Sequence, residues 1–238
     1  MKDFDLNQVA GMIDISAVRT DVTMTELLNM ANLAKYYRFI CAYAMPCFTP
    51  DLIELMADTP DVSVGGVVGF PSGADSTLIK VMTTRDMLAM GCSELDMVIN
   101  VGALKSGKHD LVADDIKKVI DAAQGKTVKA ILEIAYLTQD EIKRACEIAA
   151  ASGVDYVKTG TGWAHKPTTV EDVKLIKRTI GNAVKIKVAG GVRTLDIMLE
   201  MIDAGSSRFG IGYLSAMAIM REVDCRLDRP SYCEAEAI

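Results

Sequence analysis

The chain has 238 residues, half of them hydrophobic, which is enough to build a large core in one domain over residues 1–238. The formal net charge is −6 and the lysines and arginines are scattered, which argues against a nucleic-acid partner. No apolar run approaches the roughly 18 residues of a membrane span, and the first residues lack a signal-peptide pattern, so we expect a cytoplasmic protein without a membrane partner.

The six cysteines and two histidines lack the spacing of a disulfide framework or a metal site. No Cys-x-x-Cys pair occurs, and reduced thiols are typical of a long chain with scattered cysteines. His109 and His165 stand far apart in the sequence. We therefore expect no structural zinc.

Several helix starts are marked by residues that suit the first turn. Thr23 and Thr138 are each followed three residues later by a glutamate, which is the spacing of a capping box. Ser76 and Thr194 are predicted N-caps, and Pro50 suits the beginning of another helix. These residues predict helices spread along the whole chain.

Short apolar or β-branched runs between the helices predict eight strands. We place them at Met12–Asp14, Phe39–Ala44, Val62–Val68, Glu94–Asn100, Val128–Glu133, Tyr156–Thr159, Lys185–Ala189 and Arg208–Gly210. Because a helical pattern follows each strand, the sequence predicts an α/β protein with a (β/α)8 TIM barrel. An open, doubly wound sheet is the alternative, although no Gly-x-Gly-x-x-Gly follows the first strand. After Leu227 the periodicity ends, so we expect a mobile tail.

Charged side chains occupy the strand face that would point into the barrel. Residues two apart on a strand share a face, so Glu94, Asp96 and Asn100 are predicted to point inward. Other ionisable residues are predicted to point inward or to lie at strand ends: Asp14, Glu133, Lys158, Lys185 and Lys187. Lys185 begins its strand and is expected to reach solvent at the barrel bottom. The others lie towards the carboxyl ends of strands, where such barrels build active sites, although an ion-pair plug is the alternative.

Two inward lysines on neighbouring strands have a specific chemical use. A lysine amine is a nucleophile only when neutral, and burial and a second ammonium both lower its pKa. We therefore predict Lys158 as the nucleophile and Lys187 as the group that lowers its pKa. A neutral lysine forms a Schiff base with a carbonyl, and Asp96 is the predicted proton shuttle. These three residues predict metal-free aldol chemistry.

Glycines follow both lysine strands. Gly160-Thr161-Gly162 follows Lys158, and Gly190-Gly191-Val192-Arg193 follows Lys187. Glycines between a strand and a helix expose backbone N–H groups to an anion, and a barrel phosphate site is expected near the last strands. The sequence therefore predicts a substrate with a phosphate group, with a tight turn at Gly190-Gly191 as the alternative.

Four motifs stand out: Val67-Val68-Gly69-Phe70-Pro71-Ser72-Gly73, the run from Glu94 to Leu104, Val157-Lys158-Thr159, and Lys187-Val188-Ala189-Gly190-Gly191-Val192-Arg193. Together they make the chain resemble the class I deoxyribose-phosphate aldolases over nearly its whole length. The resemblance implies a (β/α)8 barrel that cleaves 2-deoxyribose 5-phosphate reversibly to acetaldehyde and glyceraldehyde 3-phosphate without a metal or cofactor. It implies the same roles for Lys158 and Lys187, and an ordered water beside Asp96. Asp14 and Cys41 match family positions near the site.

Departures from the family pattern concern the substrate more than the lysines. The common Lys-Thr-Ser-Thr-Gly-Phe is here Lys158-Thr159-Gly160-Thr161-Gly162-Trp163. Two family serines that help to hold the phosphate are replaced here, where Ile211-Gly212-Tyr213 follows the last strand. The family's C-terminal tyrosine has no clear match, because Tyr232 lies several residues before the end of the chain. Two alternatives stay open: a lysine-dependent aldolase for another sugar or sugar phosphate, and a non-catalytic sugar-phosphate-binding barrel.

The expected partners are small sugar, sugar-phosphate and aldehyde substrates, and the composition permits a homodimer without requiring one. The predicted catalytic residues are Lys158, Lys187 and Asp96. The predicted substrate-binding residues are Asp14, Cys41, Thr159, Gly160, Gly190, Gly191, Arg193, Gly210 and Gly212.

Overall fold

In the described part of the chain, eight parallel strands close into a barrel in sequence order, with the last strand returning to pair with the first. The computed structural model describes residues 4–232. The strands are β1 (Ile13–Ala17), β2 (Cys41–Ala44), β3 (Ser63–Val68), β4 (Glu94–Val98), β5 (Thr127–Ile131), β6 (Tyr156–Lys158), β7 (Lys185–Ala189) and β8 (Arg208–Gly212). The predicted (β/α)8 barrel is confirmed, and the open sheet is wrong because β1 and β8 are hydrogen-bonded to each other.

Nine α-helices within residues 4–232 pack around the barrel. They are α1 (Met24–Tyr37), α2 (Thr49–Met56), α3 (Thr77–Met90), α4 (Val101–Lys105), α5 (His109–Ala122), α6 (Gln139–Ser152), α7 (Val170–Ile180), α8 (Leu195–Asp203) and α9 (Tyr213–Arg226). Thr23, Ser76, Thr138 and Thr194 each accept a backbone N–H from the first turn of a helix, which confirms the four predicted N-caps. None of these helices is long and apolar enough to cross a membrane.

The hydrophobic core lies between the barrel and the helices. Leu95 and Met97 of β4 and Ile186 and Val188 of β7 are at most 1% exposed and belong to this core. Burial of each such side chain stabilises the fold by about 1.5–3 kcal/mol. Because side chains alternate along a strand, this outward apolar set leaves the charged residues of the same strands to fill the barrel interior.

Two predicted strands, β4 and β5, end two residues earlier than expected. Asn100 follows the end of β4, and its Oδ1 accepts the Ala103 N–H at 2.9 Å, so it caps α4 and does not point into the barrel. Glu133 follows the end of β5 with a left-handed φ of 52°, which takes it out of the β5 ladder. Both predictions of strand length are therefore wrong.

The first part of the predicted tail contacts the end of the barrel that is remote from the strand carboxyl ends. Arg229 Nε lies 2.5 Å from Asp224 Oδ1, and the ring of Tyr232 packs edge-on against Tyr36, with 5.2 Å between centroids. Tyr36 lies in the last turn of α1, which starts after the carboxyl end of β1, so Tyr232 lies away from that face. The rest of the tail, including Cys233, lies outside the described residues. The five cysteines within residues 4–232 are free thiols.

Candidate active site

Seven charged side chains from six strands fill the barrel interior, and we call them the charge cluster. All are buried except Glu94, whose side chain is 13% exposed. Their alternation along the strands directs them inward, and the strand register places Lys158 beside Lys187 and Asp96 beside Lys129. The members of the charge cluster are Asp14, Glu94, Asp96, Lys129, Lys158, Lys187 and Arg208.

Asp96 lies at the centre of the charge cluster. Its Oδ2 accepts hydrogen bonds from Lys158 Nζ at 2.7 Å and from Lys187 Nζ at 2.6 Å. Its Oδ1 accepts one from Tyr43 Oη at 2.9 Å and lies 3.2 Å from Lys129 Nζ. The structure therefore brings the three predicted catalytic side chains into direct contact through one carboxylate oxygen.

The charge on Asp96 is fixed by its neighbours. Burial acts to raise the pKa of this carboxyl, but the ammonium groups of Lys158, Lys187 and Lys129 outweigh burial and hold the pKa well below its usual range. Asp96 is therefore ionised at neutral pH. It can hold an ammonium in place or accept a proton from a group that loses its positive charge.

Lys158 and Lys129 have opposite pKa shifts although both are buried. Burial lowers the pKa of Lys158, Asp96 opposes this effect and Lys187 adds to it, so that the pKa is about 8. Burial also acts to lower the pKa of Lys129, but Asp96, Asp14 and Glu94 outweigh it and raise that pKa above its ordinary value. Lys158 is therefore the easier of the two lysines to deprotonate.

Charge balance in the charge cluster also favours Lys158 as the lysine that loses its proton. Four cationic side chains face three carboxylates, so loss of the proton from Lys158 leaves three cations and three anions. Lys158 is also more exposed, at 7%, than Lys187 at 1% or Lys129 at 0%. A neutral amine at Lys158 balances the buried charge and lies where a substrate can reach it.

A cavity of about 350 Å³ lies at the carboxyl ends of the strands, with Lys158 and Lys187 in its wall. One side is formed by Gly190 and Gly191, whose φ angles of 87° and 94° suit glycine and turn the backbone at the end of β7. On the same side Gly212 is the N-cap of α9, and Ser215 in its first turn lines the cavity. Because the positive end of a helix dipole points here, this side suits an anion.

Most of the predicted substrate-binding residues line this cavity: Asp14, Gly190, Gly191, Arg193, Gly210 and Gly212. Among the described residues of its wall, Cys41, Thr159 and Gly160 do not occur. Cys41 is fully buried as the first residue of β2, and burial raises the pKa of its thiol well above the ordinary value. Thr159 Oγ1 accepts the Ala189 N–H at 3.0 Å, and Gly160 faces Glu133. Thr159 and Gly160 line an adjoining cavity of about 330 Å³, which shares Gly190, Gly191 and Arg193 with the first. Substrate binding by Cys41, Thr159 and Gly160 therefore stays a prediction.

Three functional neighbours were not predicted from the sequence. Tyr43 Oη accepts a hydrogen bond from Lys129 Nζ at 2.8 Å and donates one to Asp96. Arg208 Nε donates to Asp14 at 2.7 Å, and its Nη2 donates to Glu94 at 2.7 Å. The alternation that identifies Asp96 also marks Lys129, which lies between two apolar residues of β5.

Within residues 4–232, no three His, Cys, Asp or Glu side chains form a group that could hold a metal ion.

The chain is similar to known aldolases along most of its length. The family model described as DeoC/LacD family aldolase matches residues 5–221. A deoxyribose-phosphate aldolase from Sinorhizobium medicae is 44% identical over 214 residues, which are 90% of this chain and 86% of that protein. Another from Staphylococcus epidermidis is 44% identical over 201 residues, 84% of this chain and 91% of that protein.

Solved structures agree with the sequence comparisons. An aldolase called QR15 has a TM-score of 0.86 at 32% identity and covers 92% of this chain and 97% of its own. The tetrameric deoxyribose phosphate aldolase from Aeropyrum pernix has a TM-score of 0.82 at 24% identity, over 92% of each chain, which shows the shared fold. With a closed barrel, a buried lysine pair and a family match over residues 5–221, the chain belongs to the DeoC/LacD family of aldolases.

Proposed function

We propose that the protein is a Schiff-base aldolase that reversibly cleaves 2-deoxyribose 5-phosphate to acetaldehyde and glyceraldehyde 3-phosphate. The observation that carries this proposal is the contact of Lys158 and Lys187 with one oxygen of Asp96, next to a cavity at the carboxyl ends of the strands. The relatives from Sinorhizobium medicae and Staphylococcus epidermidis bear the name of this activity.

The reaction begins at Lys158. With a pKa of about 8, an appreciable fraction of this amine is neutral at pH 7 to 8 and can attack the aldehyde carbon of the open-chain sugar. The resulting carbinolamine loses water to form a protonated imine. The positive charge returns to the same nitrogen, where Asp96 Oδ2 stabilises it at hydrogen-bond distance.

Carbon–carbon cleavage then follows from the imine. A base removes the proton from the hydroxyl on the third carbon, that carbon becomes the aldehyde of glyceraldehyde 3-phosphate, and the electrons of the broken bond enter the imine to give an enamine. Protonation of the enamine and hydrolysis release acetaldehyde and restore the amine. We assign the proton transfers to Asp96, because its pKa rises when the nitrogen of Lys158 loses its positive charge, as happens when the imine becomes the enamine.

The phosphate is assigned to the side of the cavity formed by Gly190, Gly191 and the beginning of α9. Backbone N–H groups at this helix N-terminus and the exposed guanidinium of Arg193 suit a dianion. The family serines are absent at Gly212 and Tyr213, but Ser215 brings one hydroxyl to the same wall. A phosphate-bearing substrate is therefore compatible with the altered loop.

A comparison of two substrates tests this assignment. We expect kcat/KM for 2-deoxyribose 5-phosphate to exceed that for 2-deoxyribose by about 100-fold or more, because charge-assisted hydrogen bonds contribute about 1.5–3 kcal/mol each. Acetaldehyde release, followed with a coupled dehydrogenase, gives both values. Equal values for the two sugars would favour the alternative of an aldolase for an unphosphorylated sugar, which the absent serine hydroxyls motivate.

Replacement of Asp96 by asparagine tests the proton shuttle. We expect kcat to fall by about 10²–10⁴-fold, because the substituted side chain cannot accept a proton. Loss of the carboxylate also removes an effect that raises the pKa of Lys158, so the remaining activity should shift to lower pH. Uncompensated lysines should lower the free energy of unfolding by about 3–5 kcal/mol.

The matched control for this variant is Asp121→Asn, on the exposed surface of α5. Urea denaturation identifies the concentration range and temperature at which the Asp96→Asn variant is folded, and kinetics are measured there. A folded Asp96→Asn protein with the kcat and pH profile of the control would exclude Asp96 as the shuttle.

We also propose a cytoplasmic location and a protein that works without a metal or cofactor. The first follows from the composition and the second from the lysine chemistry, which needs only an amine and a carboxylate. A homodimer stays a prediction that sedimentation analysis can test.

A further inference from the structure

Trp163 lies in the wall of the cavity that Lys158 and Lys187 line. It lies in the loop after β6, and its indole Nε1 donates a hydrogen bond to the carbonyl oxygen of Val18, after β1, at 2.9 Å. Its ring meets Phe70, after β3, edge-on with 6.0 Å between centroids. All three residues line the cavity, so one side chain connects loops from three separate strands above Lys158.

The other end of Trp163 is held by a buried carboxylate. The backbone N–H of Trp163 donates to Thr161 Oγ1 at 3.0 Å, and Thr161 donates from both its hydroxyl and its backbone N–H to Glu133. Glu133 is 4% exposed at the end of β5. The direction of the indole is therefore set from two sides, by Glu133 through Thr161 and by Val18.

Gly160 makes this arrangement sterically possible. A Cβ at residue 160 would lie 2.8 Å from Glu133 Oε1, so any larger residue must displace the carboxylate that holds Thr161. Gly160 and Trp163 are the two positions at which this loop departs from the common family sequence. The structure connects them, because the space left by Gly160 admits Glu133 and the resulting anchor orients Trp163.

Stability gives little reason for a tryptophan at this position. Its side chain is 44% exposed, so the ring contributes only part of the burial energy of a core aromatic residue. The contacts of the ring, Val18 and Phe70, pack in one cluster with Val67, so this part of the cavity wall is apolar. The ring therefore bounds the cavity on a side that suits the carbon chain of a substrate.

We infer that Trp163 is a specificity-determining residue, which closes the cavity over the substrate and excludes bulky acceptor aldehydes. This inference rests on the proposed aldolase function, in which the enamine on Lys158 adds to an acceptor aldehyde in the synthetic direction. Removal of the indole should admit larger acceptors without changing the formation of the imine, because the hydrogen bond of Lys158 to Asp96 and that of Trp163 to Val18 share no residue.

The test compares two unphosphorylated acceptors, propanal and 3-phenylpropanal, with acetaldehyde as donor. Trp163→Ala is expected to raise the ratio of kcat/KM for 3-phenylpropanal to that for propanal by about tenfold or more. Trp163→Phe keeps an aromatic ring but loses the N–H donor, so a smaller rise is expected. Gly160→Ala leaves Trp163 in place and displaces its anchor, and should also raise the ratio. Tyr36→Ala, at an equally exposed aromatic residue on the end of the barrel remote from the cavity, is the control and should leave the ratio unchanged.

Borohydride reduction with acetaldehyde separates a failure of this inference from a failure of the proposed function. If Lys158 is labelled in the native and variant proteins but the ratio is the same in Trp163→Ala, Trp163→Phe and the control, the inference is overturned alone. If the native protein is not labelled at Lys158, the proposed function fails, and this inference fails with it. Labelling in every variant together with a raised ratio in Trp163→Ala supports both.

Discussion

Replacement of Lys158 by methionine is expected to abolish cleavage of 2-deoxyribose 5-phosphate, with kcat/KM falling by roughly 10⁴-fold or more. Methionine keeps a side chain of similar length but has no amine to form the imine. The fold should survive, because a neutral residue 158 leaves three cations and three carboxylates in the charge cluster. Thermal denaturation and steady-state kinetics on the purified variant measure the two expectations.

Lys185→Met is the matched control for this substitution. Lys185 is exposed at the start of β7, as predicted from the sequence, and its Nζ lies 5.4 Å from the ring centroid of Tyr156. The control should keep the activity of the native protein. A folded Lys158→Met protein with more than a few per cent of native activity would show that another group is the nucleophile.

Replacement of Lys187 by methionine is expected to shift the pH profile of kcat/KM upward by about one pH unit. Activity requires neutral Lys158, so it rises as the pH increases through the pKa of about 8. Loss of Lys187 removes a like charge and leaves Asp96 with fewer ammonium partners, and both changes raise the pKa of Lys158. At pH 7 the activity should therefore fall by about tenfold from this effect alone.

Lys187→Arg separates charge from geometry. Arginine keeps a positive charge, so the midpoint of the profile should stay near that of the native protein even if the rate falls. The hydrogen bond from Arg208 to Asp14, 2.7 Å long in the native protein, does not involve Lys187, so both variants should keep it and an intact fold. A Lys187→Met protein with a lower rate but an unchanged pH profile would indicate that Lys187 positions Asp96 and does not tune Lys158.

The alternation of side chains along strands explains how much of the site can be predicted from sequence. Asp96 and Lys187 each lie between apolar neighbours, and Lys158 follows Val157, so a period of two directs all three to one side of a parallel sheet. Closure of the barrel then brings their strands together. The same rule identifies Lys129, since it also lies between two apolar residues, so this member of the charge cluster is predictable in principle.

Other features depend on contacts that local patterns do not encode. The left-handed backbone at Glu133 and the capping role of Asn100 are set by the loops that follow β5 and β4, so the apolar runs overestimate the strand lengths. The hydrogen bond from Trp163 to Val18 joins residues 145 positions apart. Cys41 matches a family position near the site and pairs with Asp14, yet its side chain is fully buried, and Tyr43, two residues nearer the carboxyl end of β2, lines the cavity instead.

The most direct measurement is the position of the covalent adduct formed when the protein is incubated with acetaldehyde and reduced with borohydride. Peptide mass spectrometry should find an ethyl group on Lys158 and leave Lys129 and Lys187 unmodified, because Lys158 has the lowered pKa and the greatest exposure of the three. An unmodified Lys158, or an adduct on Lys187 or Lys129, would contradict the assignment of Lys158 as the Schiff-base lysine.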